Sequence, residues 1–309
     1  NAALAAGADA IYCGLGNSFN ARRGARNFDD ESFSAACRRA HLVGTRVYVT
    51  VNVAVPTEEM PRALSLVRRA WLCGADAFII QDWGLFAEVR RTWPQMETHV
   101  STQANVHDAR GVAWCRELGA DRVTLSRELS LPEVSRIAEE GVELECFGHG
   151  ALCFCYSGVC LMSSLAGGRS ANRGLCAQPC RLPYELVDED GNMMEIPGVA
   201  TAGLPETMRG VGGTRLLCPK DYCTVDHVAE MAEAGVGSLK VEGRMKAPDY
   251  VLGVVGAYRD AIDAFLAGHD TPEADAARHR RLKRAFNRDF TDAYLRGESD
   301  NQMMSYERS

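Results

Sequence analysis

Five cysteines in one irregular segment are the strongest chemical signal in the sequence. They lie within residues 151–182, ALCFCYSGVCLMSSLAGGRSANRGLCAQPCRL, a stretch that also holds three arginines and no acidic residue. Cysteines that only fill a core lie in regular elements, so thiols in a Gly- and Ser-rich segment indicate a soft-metal site. A set of buried, inert thiols is the alternative reading.

The spacing of these cysteines separates two kinds of metal centre. Zinc sites commonly place about two to four residues between paired cysteines, whereas six lie between Cys153 and Cys160 and three between Cys176 and Cys180. The wider spacing favours an iron–sulfur cluster held by four thiolates. Such a cluster is an anion, and the surplus of arginine would offset its charge. Cys155 falls outside the two pairs and is interpreted as a bystander.

Polar side chains follow the predicted strands at seven places. These residues are Asn52, Gln81, Asp82, Gln103, Arg127, Glu128, His149, Lys220, Asp221, Glu242 and Arg244. Chemistry in parallel α/β folds sits at the carboxyl ends of the strands. We therefore expect a binding site for a polar, anionic small ligand at this face, with ordinary polar loops as the alternative.

Short β-branched runs alternate with amphipathic helical segments along the chain. Strands are predicted over 10–13, 46–53, 77–80, 99–103, 122–126, 142–147, 214–218 and 238–241, and helices over 29–42, 57–72, 84–92, 111–118, 131–139, 225–234 and 248–266. This alternation predicts a parallel sheet covered by helices. Seven strands, with an eighth if 214–218 joins the sheet, favour an α/β fold of the TIM-like (β/α)8 barrel type over an open sheet.

The same pattern predicts the division of the chain. We expect a first part of the barrel over 1–150, a cysteine-rich insertion over 151–213, a last part of the barrel over 214–268 and a helical basic tail over 269–309. A first strand ahead of residue 1 and a further C-terminal region are also expected. No GxGxxG motif follows a strand, so nothing indicates a dinucleotide site.

Composition excludes several classes of protein. Of 309 residues, 46% are apolar and 24% charged, which is not the composition of a disordered chain. No apolar run approaches the roughly 18 residues of a membrane span. The net charge of −7 predicts no overall attraction to nucleic acid or anionic lipid. Twelve cysteines without a secretory segment indicate the reducing cytoplasm.

A dense basic run, RHRRLKR at 278–284, departs from this acidic background. One interpretation is a solvated helix face balanced by Glu273 and Asp275. The other is a contact with RNA phosphates, which Arg169, Arg173 and Arg181 beside the cysteines would extend.

Several long motifs resemble the signature of the collagenase-like peptidase family U-32. They are ECFGHGALC at 145–153, YSGVC at 156–160, NRGLCAQPCR at 172–181, PKD at 219–221, KVEGR at 240–244 and FNRDFT at 286–291. The resemblance runs along nearly the whole chain. It implies a barrel-like fold and a 4Fe-4S cluster whose ligands, by motif position, are Cys153, Cys160, Cys176 and Cys180. One branch of the family uses a cysteine at the place of Cys218, which is the reserve candidate.

The resemblance also implies a range of activities. Despite the peptidase name, relatives take part in hydroxylation of a tRNA wobble uridine, of a ribosomal-RNA cytidine and of the ubiquinone ring, and the RNA-modifying members depend on prephenate. For capture of such a small dicarboxylate, the candidate cations are Arg127, Lys220, Lys240 and Arg244. Catalytic roles, positioning these cations or handling protons, are assigned to Glu145, His149, Asp221 and Glu242.

Three classes of function remain open from the sequence. The first is an iron–sulfur-dependent RNA hydroxylation protein that acts on tRNA or ribosomal RNA and uses prephenate. The second is a peptidase, although the chain has neither an HExxH nor a GxSxG motif. The third is a non-catalytic cluster-bearing partner subunit of a homologous hydroxylase.

Overall fold

A mainly parallel β-sheet covered by helices forms the body of the molecule. The computed structural model describes residues 1–192, 194, 215–269 and 271–306. Its strands are β1 (Ala10–Cys13), β2 (Arg46–Val51), β3 (Ala77–Ile80), β4 (Glu97–Val100), β5 (Arg122–Thr124), β6 (Glu143–Ala151), β7 (Asp221–Cys223), β8 (Val236–Val241) and β9 (Phe290–Thr291). The helices are α1 (Ala2–Ala5), α2 (Asp30–His41), α3 (Met60–Leu72), α4 (Trp83–Thr92), α5 (Ala109–Glu117), α6 (Leu131–Ala138), α7 (Met162–Gly167), α8 (Val228–Glu233), α9 (Pro248–Leu266), α10 (Pro272–Arg284) and α11 (Ala293–Arg296). None of these helices is long and apolar enough to cross a membrane.

Strands β1 to β6 pair in chain order, each parallel to the one before it. Most residues of β2 and all of β3 are buried, as near-continuous apolar strands must be when helices cover a sheet. The long strand β6 also pairs in parallel with β8 and, at its end, antiparallel with β7. The predicted α/β class is therefore confirmed.

The sheet curls until its edge strands β1 and β8 approach each other. The Tyr12 hydroxyl of β1 donates a hydrogen bond to the carbonyl of Val241 in β8 at 3.3 Å. The Lys240 Nζ lies 4.5 Å from the centroid of the Tyr12 ring. No backbone ladder joins the two strands in the described part of the chain, and a cavity of about 720 Å³ lies between them. The barrel is open on this side.

Two expectations about the elements were wrong. Residues 215–218 form a turn, whereas the strand lies just beyond it, at β7, and runs antiparallel to β6. A three-residue strand gives almost no periodic signal, which is why the sequence misplaced it. Strand β6 also continues four residues past its predicted end, so His149 lies within the sheet.

The cysteine-rich segment is irregular, as predicted. Apart from α7 it contains only short 3-10 turns in its described residues. Two of its glycines allow the segment to pack closely on the barrel. A Cβ at Gly158 would lie 2.1 Å from the Gln103 carbonyl oxygen, and one at Gly174 would lie 2.1 Å from that of Asn20. Both glycines have positive φ, so other residues would be strained there. The predicted boundary at 213/214 falls outside the described residues and stays a prediction.

Candidate functional site: thiols beside the barrel mouth

The cysteines of the insertion form one group. Burial raises the pKa of Cys180 to about 11, and the neighbouring sulfurs of Cys153, Cys176 and Cys160 raise it further while Arg181 opposes them. Burial also raises the pKa of Cys155 to about 12, together with the adjacent sulfur of Cys160. Without a bound cation the thiols of Cys155 and Cys180 are therefore protonated at neutral pH, and a coordinated metal reverses that state.

The thiols of the insertion are soft donors, which suit a zinc ion or an iron–sulfur cluster. Among the described residues, no three cysteine sulfurs lie within 4.8 Å of one another. Four thiolates are the usual ligands of a four-iron cluster, so the donor chemistry suits the cluster that the spacing predicts, which stays a prediction.

Cys218, the reserve ligand, lies in a different environment. It is fully buried, and its sulfur accepts a hydrogen bond of 3.0 Å from the Arg181 guanidinium. The same guanidinium donates to the carbonyls of Pro219 and Leu152, both at 2.6 Å. Arg181 thus fastens the end of the insertion to the barrel. Cys180 interacts with the other thiols of the insertion, and this favours Cys180 over Cys218 as the fourth ligand.

Two arginines anchor the insertion. The sequence assigned Arg127 to ligand binding and Arg173 to the charge balance of the cluster. The Arg127 Nε donates to the Ser157 hydroxyl at 3.2 Å, while the Glu128 carboxylate accepts from the Ser157 backbone N–H at 3.0 Å. Arg173 forms an ion pair with Glu59 at 2.7 Å. These contacts hold the cysteine loops on the barrel. Arg173 is paired with a carboxylate, whereas Arg127 donates to the neutral Ser157 hydroxyl and has no carboxylate within 4.0 Å among the described residues.

Four polar residues meet at the carboxyl ends of β1 and β8. The Glu242 carboxylate accepts a hydrogen bond from the Tyr12 hydroxyl at 3.1 Å and lies 3.7 Å from the Arg22 Nε. Arg244 donates to the Thr50 hydroxyl at 2.9 Å and lies over the Tyr12 ring. We call Tyr12, Arg22, Glu242 and Arg244 the mouth cluster.

Arg22 connects the mouth cluster to the thiols. Glu242 raises the pKa of the Arg22 guanidinium most strongly, and Tyr12, Cys176 and Cys153 add to this effect against the opposing effect of burial. Arg22 therefore lies within electrostatic range of the mouth carboxylate and of two predicted cluster ligands.

Arg244 is the mouth cation best suited to bind an anion. Within the described ranges no carboxylate oxygen lies within 4.0 Å of its nitrogens, and its Nε is buried without a hydrogen-bond partner. A buried N–H group without a protein partner requires an acceptor, such as an ordered water or a bound ligand. Arg244 also borders the cavity between β1 and β8.

Lys240 and Glu145, by contrast, satisfy each other inside the barrel. Their Nζ and Oε1 atoms are 2.7 Å apart, and both side chains are buried. Glu145 also accepts from the Thr124 hydroxyl at 2.8 Å and the Ser238 hydroxyl at 3.0 Å. Burial opposes ionisation of Glu145, but Lys240, Arg122 and the Thr124 hydroxyl outweigh it and lower its pKa to about 2.

Asp221 and Lys220 lie next to each other in the chain but have different surroundings. The Asp221 carboxylate is buried and accepts from the Arg288 guanidinium at 3.0 Å and the Arg288 backbone N–H at 3.2 Å. This pair joins β7 to the segment before β9. Lys220 is half-buried, and its backbone N–H donates to the Met303 carbonyl at 2.8 Å.

His149 is enclosed by aromatic rings. Tyr250, Tyr258 and Phe290 surround the imidazole at centroid distances of 5.4–6.3 Å. Burial, with help from Lys246, lowers its pKa to about 3, so the ring is neutral at physiological pH. It does not join the mouth cluster.

The basic run on α10 is only partly exposed, which corrects one expectation. Arg278 is buried beside Asp275, and Arg281 pairs with Asp260 at 2.8 Å. Arg181 is also buried, because it anchors the insertion, and so it does not extend a basic surface. Arg280 and Arg284 remain exposed.

Sequence reasoning missed Arg22 and Tyr12. The available signal was the stretch NARRGAR at 20–26, which follows the first strand and so had to lie at the same end of the sheet as Glu242. Only the polar residues directly after each strand were considered, whereas Arg22 lies nine residues beyond β1.

Comparisons with known proteins show the family of the chain. The model of Peptidase family U32 matches residues 1–305. The tRNA hydroxylation protein P1 of Bacillus subtilis is 33% identical over 293 residues, which are 94% of this chain and 67% of that protein. The 23S rRNA 5-hydroxycytidine synthase of Escherichia coli is 32% identical over 300 residues, 95% of this chain and 43% of that protein. A collagenase of Porphyromonas gingivalis is 32% identical over 309 residues, 96% of this chain and 70% of that protein.

Fold and site together define an α/β protein with a parallel, open barrel and a cysteine-rich insertion beside its mouth. The chain belongs to Peptidase family U32, as the sequence motifs predicted. Its relatives are named both for RNA hydroxylation and for proteolysis.

Proposed function

We propose that the chain is an iron–sulfur-dependent RNA hydroxylation protein that works in the cytoplasm on tRNA or ribosomal RNA. The observation that carries the proposal is the group of insertion thiols beside the mouth cluster. Relatives named for hydroxylation of tRNA and of 23S rRNA give the substrate class. The proposed ligands of a 4Fe-4S cluster are Cys153, Cys160, Cys176 and Cys180.

The cluster supplies one-electron redox chemistry when bound. The residues of the chain have three tasks around it. Arg22 provides positive charge between the thiols and Glu242, which favours the anionic cluster. Arg244 binds a carboxylate of a small dicarboxylate, for which we propose prephenate. Glu242 and the Tyr12 hydroxyl hold a proton between them at 3.1 Å and orient the bound molecule.

Binding of the dicarboxylate is tested by thermal unfolding. Prephenate should raise the melting temperature of the wild type and leave Arg244→Ala unchanged, because the fork of two N–H groups is lost. Arg127→Ala is the comparison variant, since Arg127 is the other predicted carboxylate-binding arginine and also donates to a neutral hydroxyl, that of Ser157. A shift lost only in Arg127→Ala would place the dicarboxylate there instead. An equal increase in melting temperature in Arg244→Ala and the wild type would contradict binding of the dicarboxylate at the mouth.

Proteolysis is the second candidate, favoured by the collagenase relative. A cysteine nucleophile needs a positioned base. His149, the histidine nearest to Cys153 in sequence, is buried among aromatic rings and neutral. The thiols are moreover assigned to iron in this proposal. A third candidate, a partner subunit that carries a cluster without catalysing the reaction, has the same cysteines.

The deciding experiment is nucleoside mass spectrometry of RNA from a deletion strain. We expect one hydroxylated nucleoside to disappear, to return with the wild-type gene and to stay absent with Cys180→Ser. A full set of hydroxylated nucleosides in the deletion strain would overturn the proposal. Purified wild type that contains no iron and digests gelatin would establish the peptidase instead. Modification that requires a second homologous protein in a purified reaction would establish the partner subunit.

A further inference from the structure

A second cavity, away from the gap between β1 and β8, lies between α9 and α10. It has a volume of about 630 Å³ and is bordered by the start of α9, the second half of α10 and the ring of Phe286. Four cationic side chains line it: Lys246, Arg280, Arg281 and Arg284. The one acidic residue on its wall is Asp249. On a chain with a net charge of −7, this is a local excess of positive charge.

The cations of this basic cavity differ in what they already bind. Arg281 pairs with Asp260 at 2.8 Å. Arg280 and Arg284 are exposed and have no hydrogen-bond or ion-pair partner among the residues that the structure describes. Solvated arginines with no internal role are free to bind phosphate through their planar fork.

Lys246 links the basic cavity to the barrel mouth. Its Nζ lies 3.7 Å from the centroid of the Phe286 ring, which is 49% exposed. Burial and the nearby Arg288 lower the pKa of Lys246, while Asp221 and Glu242 raise it. The Lys246 backbone N–H donates to the Gly243 carbonyl at 3.0 Å, and Gly243 directly precedes Arg244 of the mouth cluster, so the cavity lies beside that cluster. Phe286 adds an exposed aromatic face on which a base can stack.

We propose that the basic cavity binds a backbone phosphate of the RNA, next to the nucleotide that enters the barrel mouth. This inference rests on the RNA-hydroxylation function proposed above and assigns Arg280, Arg284 and Lys246 as the phosphate contacts. The nucleotide at the mouth is recognised by other residues. Phosphate contacts set the register of the RNA but carry no sequence information.

The proposal predicts a specific salt dependence. On single-stranded RNA the logarithm of the binding constant falls with the logarithm of salt concentration by about 0.7 for each phosphate neutralised. Replacing both Arg280 and Arg284 by Ala should therefore make the slope shallower by about 0.7 to 1.4. At moderate salt the affinity should fall about tenfold or more.

The experiment uses the cluster-loaded full chain and fluorescently labelled bulk tRNA, titrated at several salt concentrations. Lys283→Ala is the matched control, because Lys283 is exposed on the same helix but does not border the cavity. We expect Arg280→Ala/Arg284→Ala to reduce affinity and slope while its visible cluster spectrum stays unchanged. Lys283→Ala should behave as the wild type.

Two outcomes of this experiment would contradict the proposal. If the double variant and Lys283→Ala both bind tRNA as the wild type does, while the wild type still hydroxylates RNA, the cavity is not the phosphate site and the proposed function survives. If inorganic phosphate raises the melting temperature of the wild type but not of the double variant, and tRNA binding is equal in both, the cavity binds a free anion instead. Failure of the wild type to bind or modify any RNA would overturn the proposed function, and this inference with it.

Discussion

The individual thiols are where this protein's chemistry is most sharply defined. Six cysteines lie in or near the insertion, and their surroundings differ. Cys153, Cys176 and Cys160 all raise the pKa of Cys180, Cys155 lies against Cys160, and Cys218 is bound by Arg181. The spacing of the cysteines indicated a cluster, but it could not show that Cys155 lies inside the group.

Replacing single cysteines by Ser should identify the ligands. Cys180→Ser should lose the visible absorbance and the iron, since one iron loses its thiolate, and should unfold more easily because a bound cofactor contributes folding free energy. Cys155→Ser and Cys218→Ser are the controls and should keep about four irons per chain. A full cluster in Cys180→Ser together with loss of iron in Cys155→Ser or Cys218→Ser would reassign the fourth ligand.

Charged residues show how far single positions can be predicted. Glu242 and Arg244 were recognised because they follow a strand, and the structure places both at the mouth. Lys240 and Glu145 were assigned to the same site, yet they pair with each other at 2.7 Å. This pairing depends on which strands are neighbours, and a single sequence does not contain that information.

At the scale of elements, the register between β6 and β8 determines which side chains meet inside the barrel. Glu145 is opposite Ser238, and Lys240 is opposite Phe147. Glu145 and Lys240 are therefore diagonal neighbours on adjacent strands. The alternation of strands and helices was predictable from apolar runs and turn residues. The antiparallel β7 and the two-residue β9 were not, because such short strands depend on tertiary pairing.

Breaking the Glu145–Lys240 pair should be costly. Lys240→Met leaves Arg122, 3.7 Å away, as the remaining cation beside the buried Glu145 carboxylate, and loss of one partner of a buried ion pair destabilises proteins by up to about 3–5 kcal/mol. Adding Glu145→Gln should recover much of that loss, because the carboxylate that Lys240 neutralised is then absent, while Arg122 keeps its ion pair with Glu143. Urea unfolding measures the stability of the single and the double variant. Lys220→Met is the control, because it removes a half-buried cation outside the pair. A loss below about 1 kcal/mol in Lys240→Met would show that water reaches Glu145.

Across the whole molecule, charge is distributed unevenly. The chain is acidic overall, but cations are concentrated at the mouth and around the basic cavity between α9 and α10. The net charge alone therefore predicted no attraction to RNA. The basic run predicted a contact with RNA phosphates, but the sequence could not show which of its arginines are exposed. Two of the seven residues in that run, Arg280 and Arg284, are exposed arginines that have no partner in the part of the chain that the structure describes.

The response of the whole fold to acid follows from three perturbed groups. The pKa of His149 is lowered to about 3, chiefly by burial. That of Glu97 is lowered to about 2 by its hydrogen bond to His99, with Arg46 adding to the effect, and that of Glu145 is also about 2. In each case the unfolded chain binds protons more readily than the folded protein, so stability is lost as pH falls.

These groups change the free energy of unfolding over different pH ranges, so the contribution of His149 can be measured separately from that of the carboxylates. Its contribution is complete above its ordinary pKa of 6.5 and is lost as pH falls from there towards 3, at about 1.4 kcal/mol per pH unit. The two carboxylates contribute fully above about pH 4.5 and act only below it. Between about pH 6 and 4.5 the free energy of unfolding should therefore fall less steeply in His149→Phe than in the wild type.

Urea unfolding at several pH values measures this difference, and His227→Gln is the matched control. Burial lowers the pKa of His227, but Asp292 and Glu230 outweigh it and raise the pKa, so its stabilisation is present at low pH and lost as pH rises. Removing His227 should make the loss of stability on acidification steeper near pH 6.5, the opposite of removing His149. Equal slopes in wild type and His149→Phe would mean that His149 becomes protonated in the folded protein. That result would return His149 to the list of groups able to transfer a proton.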